Sequence, residues 1–107
     1  QPIFDVRHLE NFIEATESHR VPIMVGVLPL LSHRNAEFLH NEVPGMNIPD
    51  DIRKRMAEAK EEDARRVGID IAREAVAAAR QLEGVAGAYV MPPFGRYKLA
   101  LKVLGLV

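Results

Sequence analysis

The 107-residue chain contains no cysteine. That removes disulfides, thiolate nucleophiles and thiolate metal sites, and it agrees with a cytoplasmic origin, which is the expectation carried forward. An excess of charge of one sign is missing as well. Fourteen Lys and Arg stand against 15 Asp and Glu, for a net charge of −1. Nothing in that balance argues for a nucleic-acid partner or for an anionic membrane surface. No apolar run approaches the roughly 20 residues that span a bilayer, and no signal-peptide pattern opens the chain. Gln1-Pro2 is not a natural initiation site, so the expected start lies elsewhere. What is present is ordinary for a globular protein: 48% hydrophobic residues, in a length that suits one small domain with a real core.

The organising stretch runs from Val21 to Leu31, followed by Ser32-His33-Arg34-Asn35. From Ile23 to Val27 it is apolar at every position, rich in β-branched residues and interrupted only by Gly26. A continuous apolar run predicts a strand covered on both faces, as in the parallel sheets of α/β proteins. Its alternative is a buried helix segment. Pro29 cannot donate to a ladder, so the strand is expected to end near Leu28 and release the chain at its C-terminal end. In α/β folds that end is where ligands sit.

Upstream, Gln1 to Phe4 reads as the tail of a strand. Asp5 is a good N-cap for a helix running to about His19 or Arg20. Val6, Leu9, Phe12, Ile13 and Thr16 recur at helical spacing, opposite Arg7, Glu10, Glu14 and Glu17. Downstream, Asn35 to Val43 reads as a short helix stopped by Pro44-Gly45. Pro49 suits the first position of another helix, with Ile52, Met56 and Ala59 inward. Glu61 with Arg65 and Glu62 with Arg66 are spaced i,i+4 in the favourable order, and this charged run reads as a solvated face. Ile71, Ala72, Ala75, Val76, Ala79 and Leu82 form an apolar stripe, with Gly84 as the expected C-cap. Val85 to Met91 is a second buried strand, stopped by Pro92-Pro93. Phe94-Gly95-Arg96 is its exit loop, and Tyr97 to Leu104 a final helix.

Alternating strands and helices signal a parallel sheet with crossover helices. Two strands and a strand tail leave edges and faces in need of neighbours, so the chain reads as a portion of a larger α/β domain. A complete three-strand α/β miniprotein is the alternative. His33 and His40 are seven apart and lack the i,i+4 histidine pair of zinc sites. Asp50-Asp51 and Glu61-Glu62-Asp63 lie at helix starts and on exposed faces, which disfavours paired-carboxylate chemistry, and Ser32 has no neighbouring base.

Six stretches together carry a resemblance: Gln1-Pro2-Ile3-Phe4-Asp5, Gly26-Val27-Leu28-Pro29, Arg34-Asn35-Ala36-Glu37-Phe38-Leu39, Asn41-Glu42-Val43-Pro44-Gly45-Met46 with Ile48-Pro49, Gly68-Ile69-Asp70-Ile71-Ala72, and Met91-Pro92-Pro93-Phe94-Gly95-Arg96. In this order they resemble the methylenetetrahydrofolate reductase family. The Asn35 to Met46 version is most similar to the subgroup fused behind a homocysteine methyltransferase domain. The resemblance implies a (β/α)8 TIM barrel carrying FAD, of which residues 1–107 would be the C-terminal segment, from the end of strand 6 to helix 8. It implies reduction of 5,10-methylenetetrahydrofolate to 5-methyltetrahydrofolate, with NAD(P)H as hydride donor and FAD as relay.

The family's substrate-binding positions fall on Gln1, Asn35, Leu39 and Arg96. Gln1 would be the carboxamide at the end of strand 6, and Asn35 an amide able to read a folate, with helix N-cap as its structural alternative. Leu39 stands where other members carry an aromatic. Arg96 would face the substrate's carboxylate or polar end. Phe94 and Tyr97 could wall the pocket, with packing as the default explanation. The family's acid and most of its flavin contacts lie on segments absent here, so this stretch alone is expected to be inactive and to bind FAD poorly. The expected partners are a folate substrate and the rest of the barrel; a homo-oligomer is neither required nor excluded. Two other readings stay open: another barrel enzyme that holds a phosphate, and a non-catalytic interaction module docking through a charged helix, roughly Ile52 to Arg66.

Overall fold

A computed structural model describes residues 2–19 and 21–106. Helix α1 spans Val6–Ala15, and strand β1 Ile23–Val27. Two helices follow, α2 (His33–Glu42) and α3 (Asp50–Glu58), then the long α4 (Ala64–Arg80). Strand β2 (Val85–Val90) and helix α5 (Tyr97–Val103) complete the order.

The strands pair in parallel, Met24 opposite Gly87 and Val27 opposite Val90, with an irregularity between Ile23 and Met24. On the other side of β1, Pro2 makes a parallel bridge to Gly26, and the Ile3 N–H donates to the Gly26 carbonyl at 3.0 Å. Of the expected strand tail, this single bridge is what the described residues contain. β1 lies between it and β2, so spatial order follows chain order, as in sheets built from βα units. The result is a mixed α/β arrangement of two parallel strands and helices, consistent with part of a barrel of this kind.

One face of the sheet is covered. Val25 and Val27 are buried against Ile69, Ala72 and Ala79 of α4, Leu9 of α1, and Leu99 and Val103 of α5. A second cluster lies beyond the β1 exit: Leu30, Ala36, Ile48, Met56, Ala64 and Ile71. Gly68 joins the two, because a Cβ there would overlap the Leu30 carbonyl oxygen, and only a glycine lets α4 lie this close to the β1–α2 loop.

The expectation of strands covered on both faces is corrected. Met24 is 56% and Tyr89 45% exposed, on the face they share with Gly26 and Gly87. No residue of β2 is fully buried. An unbroken apolar run reports what a strand can bury, and among the described residues no layer lies over that second face. Other boundaries also move. α1 stops at Ala15, where the Thr16 hydroxyl bonds back to the Phe12 carbonyl at 2.9 Å. Phe12, expected inward, is 56% exposed. The charged run is two helices instead of one. Ala59 and Lys60 are extended (ψ 137° and 151°), and Glu61–Asp63 forms a 3-10 turn. Glu61 and Glu62 thus precede α4, and the expected i,i+4 pairs with Arg65 and Arg66 do not form; Arg66 meets Asp63 at 3.6 Å instead. Helix α4 ends at a Gln81 cap, and Gly84, past it, has φ 97°. No described helix is long and apolar enough to cross a membrane.

Candidate functional site

Because β1 and β2 are parallel, the segments that follow them leave from the same edge of the sheet. After β1, Pro29 and Leu30 are fully buried, which fixes the path into α2. Ser32 is the N-cap: its Oγ accepts from the Asn35 N–H at 3.0 Å. Asn35 is therefore not the cap, contrary to the structural alternative for it. It sits in the first turn, half-buried, and its Oδ1 accepts from the Leu31 N–H at 3.1 Å. Leu39, one turn on, is partly buried and packs against the second core cluster. That contact accounts for a leucine there without any ligand.

After β2, the Met91 N–H extends the pairing to the Val27 carbonyl at 2.8 Å, and Pro92 and Pro93 then end it. Pro93–Gly95 forms a 3-10 turn in which Phe94 has φ 53° and Gly95 φ 71°. A left-handed phenylalanine is strained backbone, and such residues gather where a loop has a task beyond connection. Phe94 is 82% exposed and Tyr97 63%. Packing within this chain, the default explanation for both, does not account for them. Arg96, the residue before α5, is exposed, with its N–H on the Pro93 carbonyl at 3.0 Å. Gln1 lies outside the described residues.

The structure thus puts Asn35 and Leu39 on one helix, α2, while Arg96 follows the exit turn of the neighbouring strand, just before α5. Two clefts lie elsewhere. One of about 360 Å³ runs beside the Pro2 bridge, lined by Phe4, His8, Phe12, Met24 and Asn47 among others. Another of about 790 Å³ lies between the start of α2 and the α3–α4 junction, with His33, Arg34, Met56, Glu62 and Arg65 on its walls. Neither includes Asn35, Leu39 or Arg96.

Several hydroxyl and titratable side chains of α2 and its cap are taken up in structural contacts. Ser32 is committed to its cap. His33 meets Glu37 at 3.1 Å, and Glu37 also faces Arg53 at 3.4 Å, an arrangement that ties α2 to α3. His40 Nδ1 accepts the Ile48 N–H at 3.1 Å, a structural role that holds the α2–α3 loop. Among the described residues no three His, Asp or Glu side chains gather as a metal site requires. Sequence reasoning underrated Phe94; the signal available was an aromatic between two prolines and a glycine, where the chain has little room to bury it.

No curated protein matches the chain. The family model for methylenetetrahydrofolate reductase matches residues 1–92, which takes in the Pro2 bridge, both strands, Asn35 and Leu39, while Arg96 follows the matched span. On that match the chain belongs to the methylenetetrahydrofolate reductase family.

Proposed function

We propose that this chain forms the folate- and nicotinamide-facing part of a methylenetetrahydrofolate reductase barrel, from the end of its sixth strand through its eighth helix. Family membership supports an oxidoreductase role in folate one-carbon metabolism. In the proposed reaction 5,10-methylenetetrahydrofolate, NAD(P)H and a proton give 5-methyltetrahydrofolate and NAD(P)+. Asn35 and Arg96 are the substrate contacts, joined by Gln1 and flanked by Leu39. Arg96 offers a charged fork to a carboxylate, and Asn35 a carboxamide to a polar ring edge.

The observation that carries this reading is the parallel order of Pro2, β1 and β2 inside the family match, which sends the exit loops of successive strands to one edge. The open sheet face agrees with it, since further strands would close a layer over Met24 and Tyr89.

The residues present do not by themselves make a site for a flavin dinucleotide. No polar or charged side chain is buried among the described residues, and the β1 and β2 exit loops carry no glycine-rich phosphate cradle. Flavin contacts are therefore assigned to other segments of the barrel, and no step is routed through the flavin here.

Steady-state kinetics of the full-length reductase test the assignment. Arg96→Ala should raise KM for methylenetetrahydrofolate about tenfold or more, as expected for a lost charged hydrogen bond, with the thermal midpoint unchanged. An unchanged KM removes Arg96 from the pocket. Stoichiometric flavin bound to the 107-residue chain alone would overturn the assignment of the flavin contacts elsewhere.

A further inference from the structure

The amide of Asn35 is held in one orientation. The loop beneath it is fixed: Pro29 and Leu30 are fully buried, and Gly68 of α4 lies against the Leu30 carbonyl. The next residue, Leu31, directs its backbone N–H at the Asn35 side chain, 3.1 Å from Oδ1. A backbone N–H can only donate, so the side-chain atom facing it must be the carboxamide oxygen. The opposite setting would place an N–H against an N–H. Ser32 holds the other end of the residue, its Oγ taking the Asn35 backbone N–H at 3.0 Å. No described residue accepts from Nδ2. The carboxamide, which in solution both donates and accepts, has its oxygen turned to the loop with one lone pair taken, and its –NH2 turned away from that contact without a partner among the described residues.

We propose that Asn35 meets its ligand as a hydrogen-bond donor, through Nδ2, and that the partner is an acceptor: a carbonyl oxygen or an unprotonated ring nitrogen of a heteroaromatic substrate. This rests on the reading of Asn35 as a folate contact and narrows it. A ligand with an amino group at that point would set donor against donor and leave both unpaired, which polar sites reject strongly. The Leu31 N–H is what sets the sense of the contact, and no side-chain identity at position 31 is required for it.

The test uses the full-length reductase with Asn35→Asp and Asn35→Ala, read by KM for methylenetetrahydrofolate and by equilibrium binding of 5-methyltetrahydrofolate. Aspartate still accepts the Leu31 N–H and, while ionised, cannot donate; alanine does neither. The expected result is that Asn35→Asp weakens both readouts at least as much as Asn35→Ala, by about tenfold or more near neutral pH. Its binding should recover as the carboxyl is protonated and regains a donor, which a purely structural role would not produce. Asn35→Asp that binds like the parent while Asn35→Ala does not would make the residue an acceptor. That overturns the inference and leaves the folate contact standing. Parent-like values in both variants would overturn the folate contact itself.

Discussion

Asp5 shows how much a single side chain can organise. Its Oδ1 accepts from the Arg7 N–H at 2.9 Å and from Arg7 Nε at 3.1 Å, and Oδ2 accepts from Nη2 at 2.9 Å. The side-chain hydrogen bond from Arg7 is the main reason the Asp5 carboxyl titrates below its ordinary range; desolvation opposes it, and the Arg7 backbone N–H and charge add to it. A lowered carboxylate value in the folded state means stability that is present above the unfolded value, about 3.9, and lost as pH falls through the folded one. Asp5→Ala should lower the unfolding free energy by about 1 kcal/mol at pH 7. The difference from the parent should shrink in urea titrations carried below that range; a constant gap would assign the loss to something other than the charged cap. His40 makes a second test. His40→Leu leaves the Ile48 N–H without its acceptor beside a fully buried side chain, and should cost about 1–3 kcal/mol by denaturant unfolding. Of these roles only the Asp5 cap was legible in the sequence, because its partner is two residues away. The acceptor for Ile48 is eight residues back across a loop, and the N-cap alternative for Asn35 failed because α2 starts earlier, at His33, with Ser32 as its cap and Asn35 already inside the first turn.

At the level of elements, periodicity found both strands and all five described α-helices; several of their ends moved, and one junction was misjudged. Residues 50–80 carry no internal proline, and their only glycine, Gly68, lies inside α4, so local signals gave no reason to stop at Ala59. The break comes from packing: Met56 of α3 and Ala64 of α4 both enter the cluster around Leu30 and Ile48. A continuous helix would carry them along one straight axis, about 12 Å apart at 1.5 Å per residue, and could not fold back over that core. The two arms are tied again by Arg55 and Glu74, 2.5 Å apart, and the Glu74 carboxylate raises the Arg55 value. Both side chains are substantially exposed, so a double-mutant cycle should return a coupling of only about 0.2–1 kcal/mol. Gly68 matters more. Gly68→Ala must move α4 or the Leu30 backbone, neither of which is a flexible side chain, and should destabilise by about 1–3 kcal/mol or more. A neutral result in denaturant unfolding would mean that the α4–loop contact is not close in solution.

The whole molecule is a slab more than a sphere. It measures 45 × 31 × 21 Å, with a radius of gyration of 13.9 Å against the roughly 13 Å expected of a compact domain of this length. The flatness follows from the sheet: α1, α4 and α5 cover the Val25–Val27 side, while Met24 and Tyr89 look outward from the other. The sequence marked these strands as able to be buried on both sides, and the barrel proposed above gives that capacity a reason, since its interior would supply the missing layer. Gly26 already hints at it. It is buried because the Tyr89 hydroxyl and the Met91 methyl lie where a Cβ would come within 3.0 and 3.1 Å. These two arguments make Met24 a position whose tolerance depends on context. In the 107-residue chain Met24→Asp should shift unfolding by no more than about 0.5 kcal/mol, as for other surface changes. In a complete barrel of the proposed kind the same substitution would place a carboxylate in a closed, apolar interior, where an unpaired charge costs several kcal/mol, and soluble protein should be lost. Equal tolerance in both settings would mean that the open face stays wet in the complete protein, and the assignment of these strands to a barrel wall would fall with it.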